Sequence, residues 1–174
     1  MNYNKLMFLP AITALILMGA GCNKKITTSP TESVKQTTTK LTIYEVKDMS
    51  YTCDKTEPRI IEVPETKAVA QAVLENLKMP VNNGKTMASY LNKPILIKNG
   101  VAYLDWKKSN EYANISTSCG SSAFNAEIND SLTQFTTIDK VIHSIEGDYQ
   151  AFYDFIQVGV CPSEVKEYCS STKQ

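Results

Sequence analysis

Histidine, arginine and tryptophan are scarce in this chain, and each occurs once among 174 residues. A single imidazole and a single guanidinium leave few side chains for acid–base catalysis, metal coordination or phosphate binding. The chain also has no excess of positive or negative charge, because its 18 Lys and Arg residues are balanced by 18 Asp and Glu residues. Nucleic-acid binding draws on a basic excess, which is absent here. The composition therefore argues against a nucleic-acid partner and weighs against an enzyme.

Long apolar runs are absent apart from one near the start of the chain. This run extends from Leu6 to Gly21 behind Lys5, and its 16 residues form a helix of about 24 Å, which is shorter than the ~30 Å hydrocarbon core of a bilayer. A charged start, an apolar centre and small residues before a cleavage point are typical of a secretory signal peptide. We therefore assign residues 1–21 to a signal peptide.

The residues around this predicted cleavage point resemble the lipobox of bacterial lipoproteins. They read Met18-Gly19-Ala20-Gly21-Cys22, and the motif usually has Leu where this chain has Gly19. The resemblance implies that Cys22 carries acyl chains, one of which is palmitate, and that they hold the protein at the extracytoplasmic face of the bacterial membrane. Two or more acyl chains anchor a protein stably, whereas one chain binds only marginally. The alternatives are an ordinary signal peptide with an incidental Cys, or a short uncleaved anchor.

Residues 22–40 are predicted to form a flexible tether. The 18 residues from Asn23 to Lys40 include six Thr and only two aliphatic side chains, Ile26 and Val34, so they bury too little apolar surface to offset the entropy of ordering. A flexible coil of this length reaches about 20–25 Å. We expect a folded domain over residues 41–158 and a Cys-containing tail over residues 159–174.

Four cysteines remain beyond Cys22, and in an exported protein they predict two disulfides. Cys161 and Cys169 flank a predicted short helix that would hold their Cα atoms about 12 Å apart, beyond the reach of ~7 Å for a disulfide. We therefore expect both to bond back to Cys53 and Cys119, with the pairing open. A zinc site is the rival reading, but no Cys-x-x-Cys pair is present.

Alternating and helical apolar patterns predict the secondary structure. Strands are expected over Leu41–Val46 and Arg59–Val63, and a helix over Thr66–Lys78 that Pro80 ends. Two strand-like runs then flank Asn99-Gly100, the residue pair favoured in a type I′ hairpin turn.

A second helix and a last strand follow the hairpin. Ser121 or Ser122 is expected to cap the helix, whose apolar positions recur at helical spacing (Phe124, Ile128, Leu132 and Phe135). The strand covers Lys140–Ile145, and an aromatic-rich segment extends from Tyr149 to Val158. The order β-β-α-β-β-α-β predicts an α+β fold: a two-layer sandwich with both helices on one face of an antiparallel or mixed sheet.

The stretch from Leu41 to Ile156 resembles the GerMN domain of sporulation and spore-germination proteins. The residues that carry the resemblance lie in order along the chain, in the segments Ala68–Leu74, Lys98–Trp106, Gly120–Ser122, Ser131–Val141 and Ile145–Gly147. The departures are the four domain cysteines, a longer insert between the first two strands, and the tail after Val158. The resemblance implies a non-enzymatic envelope module for protein–protein assembly, either with itself or with an envelope protein that the sequence does not identify. It does not imply that the host sporulates.

Four residues are candidate contacts for a partner. Asp105 and Trp106 end the predicted hairpin, and Phe152 and Tyr153 lie in the aromatic segment. For each pair a structural role, as the sheet edge or the cover of the core, is the favoured alternative. His143 shares a strand face with Val141 and Ile145, so we expect a half-buried core imidazole rather than a ligand.

Two other functions are alternatives to assembly. A solute- or glycan-binding surface lipoprotein would show a polar and aromatic cleft. A hydrolase would use Cys119 or a neighbouring Ser at the start of a helix, where a thiol pKa falls; a disulfide at Cys119 removes that nucleophile. The sequence predicts no catalytic residue, metal or cofactor.

Overall fold

The computed structural model describes residues 37–49, 52–80 and 84–169. The predicted signal peptide, the predicted lipidation site at Cys22 and most of the predicted tether lie outside these residues. Among the described residues, no helix has both the length and the apolar character needed to cross a bilayer.

The first two strands form an antiparallel pair, β1 (Thr38–Val46) with β2 (Thr56–Pro64). Strand β1 starts three residues before the predicted domain boundary at Leu41. Its alternation places Leu41 and Ile43 on the buried face, where β2 adds Ile61 and Val63. Helix α1 (Val69–Asn76) follows and contacts β1. It is shorter than the predicted helix Thr66–Lys78.

The second sheet has the order β3-β4-β5, from Leu96–Lys98, Val101–Trp106 and Lys140–Ile145. Strands β3 and β4 are antiparallel, and β4 and β5 are parallel. The predicted hairpin turn is confirmed, since Asn99 and Gly100 have φ values of 52° and 77°. Gly100 also fixes the start of β5, because its carbonyl accepts hydrogen bonds from the N–H groups of Asp139 (2.7 Å) and Lys140 (3.2 Å).

Helix α2 (Ser118–Thr133) is the central helix of the domain. Its stripe Phe124, Ile128 and Leu132 is fully buried, as the sequence predicts. The predicted caps Ser121 and Ser122 are wrong, because the N-cap is Thr117, whose side chain accepts from the N–H of Gly120 at 3.0 Å. The helix starts about one turn before the predicted caps, because the buried side of α2 extends back to Gly120 and Ser121.

The expected disulfide pairing is wrong. Cys53 bonds to Cys119, and Cys161 bonds to Cys169 with a Cα–Cα distance of 6.4 Å. The physical reason is that no continuous α-helix separates the last two cysteines. Pro162 is extended (ψ 148°), a 3₁₀ turn covers Ser163–Val165, and only then does the short helix α4 (Lys166–Cys169) begin, so that the chain folds back.

The tail packs against the domain. Val165 and Cys169 bury Ile142 on the outer face of the β3-β4-β5 sheet. The predicted aromatic segment contains helix α3 (Tyr149–Phe155), which Asp148 caps by accepting from the N–H of Ala151 at 3.0 Å. The α+β class and the element order are confirmed. The strands form two sheets in the described part of the chain, however, and not the single sheet that we expected.

Candidate interaction surface

Asp105, a predicted contact residue, is engaged inside the chain. Its Oδ1 accepts from the Ser144 hydroxyl (2.8 Å) and the Gly147 N–H (2.7 Å), and its Oδ2 accepts from Asn92 Nδ2 (2.9 Å). Burial alone would raise the pKa of Asp105, but these hydrogen bonds and nearby Lys93 together hold the pKa below its ordinary value. The carboxylate therefore joins three segments, and its role is structural.

The aromatic candidates lie in the core. Trp106 and Phe152 are 2% and 1% exposed, and Tyr153 is 8% exposed. Trp106 donates from Nε1 to Nδ1 of His143 at 3.1 Å, and the His143 ring stacks on Phe152 with centroids 4.6 Å apart. Burial lowers the pKa of His143 to about 3, so the ring is neutral and fully buried rather than half-buried. These rings pack the folded domain and are not presented to a partner.

Cys119 carries no free thiol, because it is bonded to Cys53. The thiol nucleophile of the hydrolase reading is therefore removed. Among the described residues, no group of three or more His, Cys, Asp or Glu side chains is arranged to hold a metal ion.

Side chains of α2 cover the outer edge of β1. Ser131 Oγ accepts from the Tyr44 N–H and Glu127 Oε1 accepts from the Val46 N–H, both at 2.8 Å, while Gln134 Nε2 donates to the Thr42 carbonyl at 2.7 Å. Glu127 and Ser131 of α2 and its C-cap residue Gln134 follow one another at four and three positions, and so share one helix face. They satisfy backbone groups that a third strand would otherwise pair.

Glu127 is the most perturbed carboxyl among the described acidic residues. It is 3% exposed, and its Oε2 has no hydrogen-bond partner among the described residues. Burial, together with the nearby carboxylate of Glu45, raises the pKa of Glu127 to about 7, although the Val46 N–H acts in the opposite direction. The sequence contains a signal for the burial of Glu127 that the prediction did not use. Glu127 follows Phe124 by three residues, which places it on the buried side of α2.

The outer edge of β2 is blocked by proline. Because the Tyr44 N–H points to α2, its antiparallel partner Pro58 belongs to a pair without ladder hydrogen bonds, and Pro64 lies in the same phase. Both prolines therefore occupy outward-facing backbone positions and offer no donor. The other outward-facing residues of the strand, Thr56, Ile60 and Glu62, each present an N–H at this edge, so the two prolines leave at most two successive outward donors.

The outer edge of β5 is covered by the chain that follows it. The Ile145 N–H donates to the Asp148 carbonyl at 2.9 Å, and the His143 N–H donates to the Tyr153 hydroxyl at 3.5 Å. Four consecutive residues of β5, from Val141 to Ser144, are buried. This edge is closed to an incoming strand.

The outer edge of strand β3 has no cover from any residue that the structure describes. Residues that flank a two-residue hairpin turn form a hydrogen-bonded pair, so Lys98 and Leu96 face β4 and the Ile97 N–H and C=O face outward. Leu96 and Ile97 are 58% and 43% exposed. We call Leu96–Lys98 the β3 edge. Sequence reasoning missed it as a site, because an apolar strand gives no sign of whether its edge is covered.

Tyrosines lie beside the β3 edge on the outer face of the sheet. Tyr103 is the antiparallel partner of Leu96. Tyr149 packs near Tyr168 with ring centroids 6.1 Å apart, and Tyr168 is 59% exposed. Exposed tyrosine and aliphatic side chains are common in protein interfaces.

The chain is similar to GerMN domains of known structure. It has 24% identity and a TM-score of 0.48 with the tandem GerMN domains of the sporulation protein GerM from Bacillus subtilis, over 64% of this chain and 40% of that structure. With the first GerMN domain of GerM the TM-score is 0.45 at 24% identity, over 63% of this chain and 84% of that one. A candidate lipoprotein from Clostridium perfringens gives a TM-score of 0.34 and 17% identity, over 69% and 81%.

No family model matches the chain. No curated protein is significantly similar to it. At these TM-scores the neighbours assign neither a partner nor an activity to this chain.

Proposed function

We propose that this chain is a non-enzymatic, lipid-anchored bacterial envelope protein whose domain assembles with another envelope protein through the β3 edge. Export and anchoring are supported by the signal peptide and the lipobox around Cys22. The assembly role is supported by the resemblance of the sequence to GerMN domains. The observation that supports the site is the difference between edges: among the described residues, the edges of β1 and β5 are covered and that of β2 is interrupted by two prolines, whereas no contact covers the apolar edge of β3.

The partner contributes an apolar strand with acidic flanks. The outward N–H and C=O of Ile97 pair with its backbone, and the exposed Leu96 side chain packs against its apolar residues. Lys98 ends the β3 edge and forms no ion pair among the described residues, so it is available to an acidic side chain. Lys93 lies on the other side of the β3 edge in sequence, and its Nζ is 3.6 Å from Oδ2 of Asp105, with which it forms an ion pair.

Proline substitution at matched edge positions tests this proposal. Ile97→Pro removes an outward N–H from β3, and Ile60→Pro removes one from the blocked edge of β2; neither donor belongs to a ladder. The full chain is expressed in its native membrane, cross-linked on intact cells and analysed for stable complexes. Ile97→Pro is expected to abolish complexes that wild type and Ile60→Pro both form, with the melting temperature of each variant as the control for folding.

Two results contradict the proposal. Equal complex formation by the folded Ile97→Pro and Ile60→Pro variants would remove the β3 edge from the interface. Self-association of the purified chain, lost in Ile97→Pro and measured by analytical ultracentrifugation, would show that the occupant is a second copy and not a separate envelope protein.

A further inference from the structure

Two adjoining cavities lie away from the β3 edge. The first has a volume of about 430 Å³ and lies between the segment after β4 and helix α3. The second, of about 420 Å³, extends toward the 3₁₀ turn at Met87–Tyr90. Lys108 and Ser109 line both cavities, and we call the two cavities together the double cleft. Each half is within the size range of small-ligand sites.

The first half combines an apolar floor with a polar rim. Ile145, Ala151 and Phe155 form the apolar part. Asn110, Glu146 and Asp148 add one amide and two carboxylates, a set able to bind several hydroxyl groups. A few polar groups around an apolar surface are typical of ligand sites.

Glu146 is held at this rim by an unusual backbone conformation. Its φ is 51°, in the left-handed region that residues with a Cβ seldom adopt. The Glu146 N–H donates to the Trp106 carbonyl at 2.9 Å, which fixes the turn after β5. This conformation belongs to a tight turn, because Ile145 and Asp148 exchange two backbone hydrogen bonds, each of 2.9 Å, around Glu146 and Gly147.

The second half is richer in cations, but two of its three lysines are engaged. Lys85 pairs with Glu111, and Lys107 donates to the Ser89 carbonyl at 3.0 Å. Lys108, at the junction of the two halves, is exposed and forms no ion pair among the described residues. The double cleft therefore has a cation at its centre for an anionic group of a ligand.

These features select among elongated ligands. An acyl chain would remove the polar rim from water without replacing its hydrogen bonds. A polynucleotide carries a phosphate at every nucleotide, so several of its charges would lie next to Glu146 and Asp148, whereas an oligosaccharide with widely spaced carboxylates can place one at Lys108 and neutral hydroxyl groups at the two acidic side chains. A glycan donates hydroxyl groups to carboxylates and lays the C–H face of a sugar ring on an apolar floor. We propose that the double cleft binds a linear oligosaccharide that carries carboxylate groups, with Lys108 contacting one of them.

Calorimetric titration of the full chain in detergent tests this proposal. The probes are oligomers of alternating N-acetylglucosamine and N-acetylmuramic acid, which carry carboxylates, and neutral N-acetylglucosamine oligomers of the same length. The carboxylated probe is expected to bind more tightly. Lys108→Gln is expected to weaken its binding about 5–10-fold, and Lys108→Arg to retain it. Lys67→Gln, an exposed lysine outside the double cleft, is the matched control.

A second variant tests the cavity without changing charge. Ala151→Leu adds bulk to the floor of the first half and is expected to abolish binding of both probes while the melting temperature is retained. Absence of binding by wild type, equal affinity for the two probes, or equal behaviour of Lys108→Gln and Lys67→Gln would overturn the proposal. None of these variants changes a residue of the β3 edge, so the glycan-binding proposal can be refuted without refuting the assembly proposal, and the reverse.

Discussion

Replacing Glu127 by glutamine is expected to change how the stability of the domain depends on pH. The carboxyl is buried under the edge of β1, accepts one hydrogen bond from Val46, and has no partner for its other oxygen among the described residues. An ionised carboxylate in this position has lost its hydration with little compensation. Glutamine keeps the acceptor for Val46 and cannot ionise.

The magnitude follows from the two pKa values. Burial raises the pKa of Glu127 to about 7 in the folded chain, from 4.5 when exposed. This difference corresponds to about 3 kcal/mol of folding free energy. Because the folded chain holds the proton more tightly, the contribution is complete below pH ~4.5 and is lost as the pH rises through about 7.

Another buried group acts in the opposite direction. Burial lowers the pKa of His143 from 6.5 to about 3. Its contribution to stability is therefore present above pH ~6.5 and is lost as the pH falls toward 3. The pH profile of the wild type sums both groups, so the effect of Glu127 is isolated by subtracting the profile of Glu127→Gln, which retains His143.

Urea unfolding between pH 4.5 and 8.5 measures this difference. Relative to Glu127→Gln, the wild type is expected to lose about 3 kcal/mol of unfolding free energy across this range. Glu65→Gln, which removes an exposed carboxyl, is the control and should follow the wild type. Parallel profiles for wild type and Glu127→Gln would refute the assignment of a buried, weakly satisfied carboxyl.

Three further substitutions test other parts of the fold by urea unfolding. Gly100→Ala is expected to destabilise by about 1–2 kcal/mol, because its φ is 77°, in the left-handed region that a residue with a Cβ disfavours, and the Cβ would also displace the Asp139 carboxylate; a change below about 0.5 kcal/mol would contradict the turn geometry. Asp105→Ala is expected to cost about 3 kcal/mol, since it leaves the donors of three segments without their acceptor, and Asp105→Asn should cost less. Replacing both Cys53 and Cys119 by serine is expected to cost about 4 kcal/mol, because their disulfide closes a sequence separation of 66 residues; an unchanged midpoint would argue against this bridge.

Local signals predicted the hairpin and the last strand well. Asn99-Gly100 specifies its turn through backbone conformation alone, and the strand Lys140–Ile145 was placed at its observed bounds. The start of α2 was misplaced because Ser121 and Ser122 are capable caps that nevertheless lie inside the helix. Which capping residue is used depends on how far the buried face extends, and that is set by tertiary packing.

The disulfides and the candidate site depend on tertiary structure. The prediction placed one regular helix between Cys161 and Cys169, and such a helix would hold the two cysteines too far apart to bond. Pro162 is extended instead, so the chain can fold back and the disulfide forms. Whether a strand edge is covered depends on residues that are distant in sequence. The edge of β1, for example, is covered by α2 side chains more than 80 residues away along the chain. No local pattern around Leu96 or Ile97 records this.

Site-specific photo-cross-linking in intact cells tests the assembly role most directly. A photoreactive residue is placed in the full-length protein at position 96, in the β3 edge, or at position 60, in the blocked edge of β2. Both native side chains are well exposed, at 58% and 69%. The proposal predicts a defined adduct with another envelope protein from position 96 and none from position 60. Indistinguishable labelling from the two positions would contradict it.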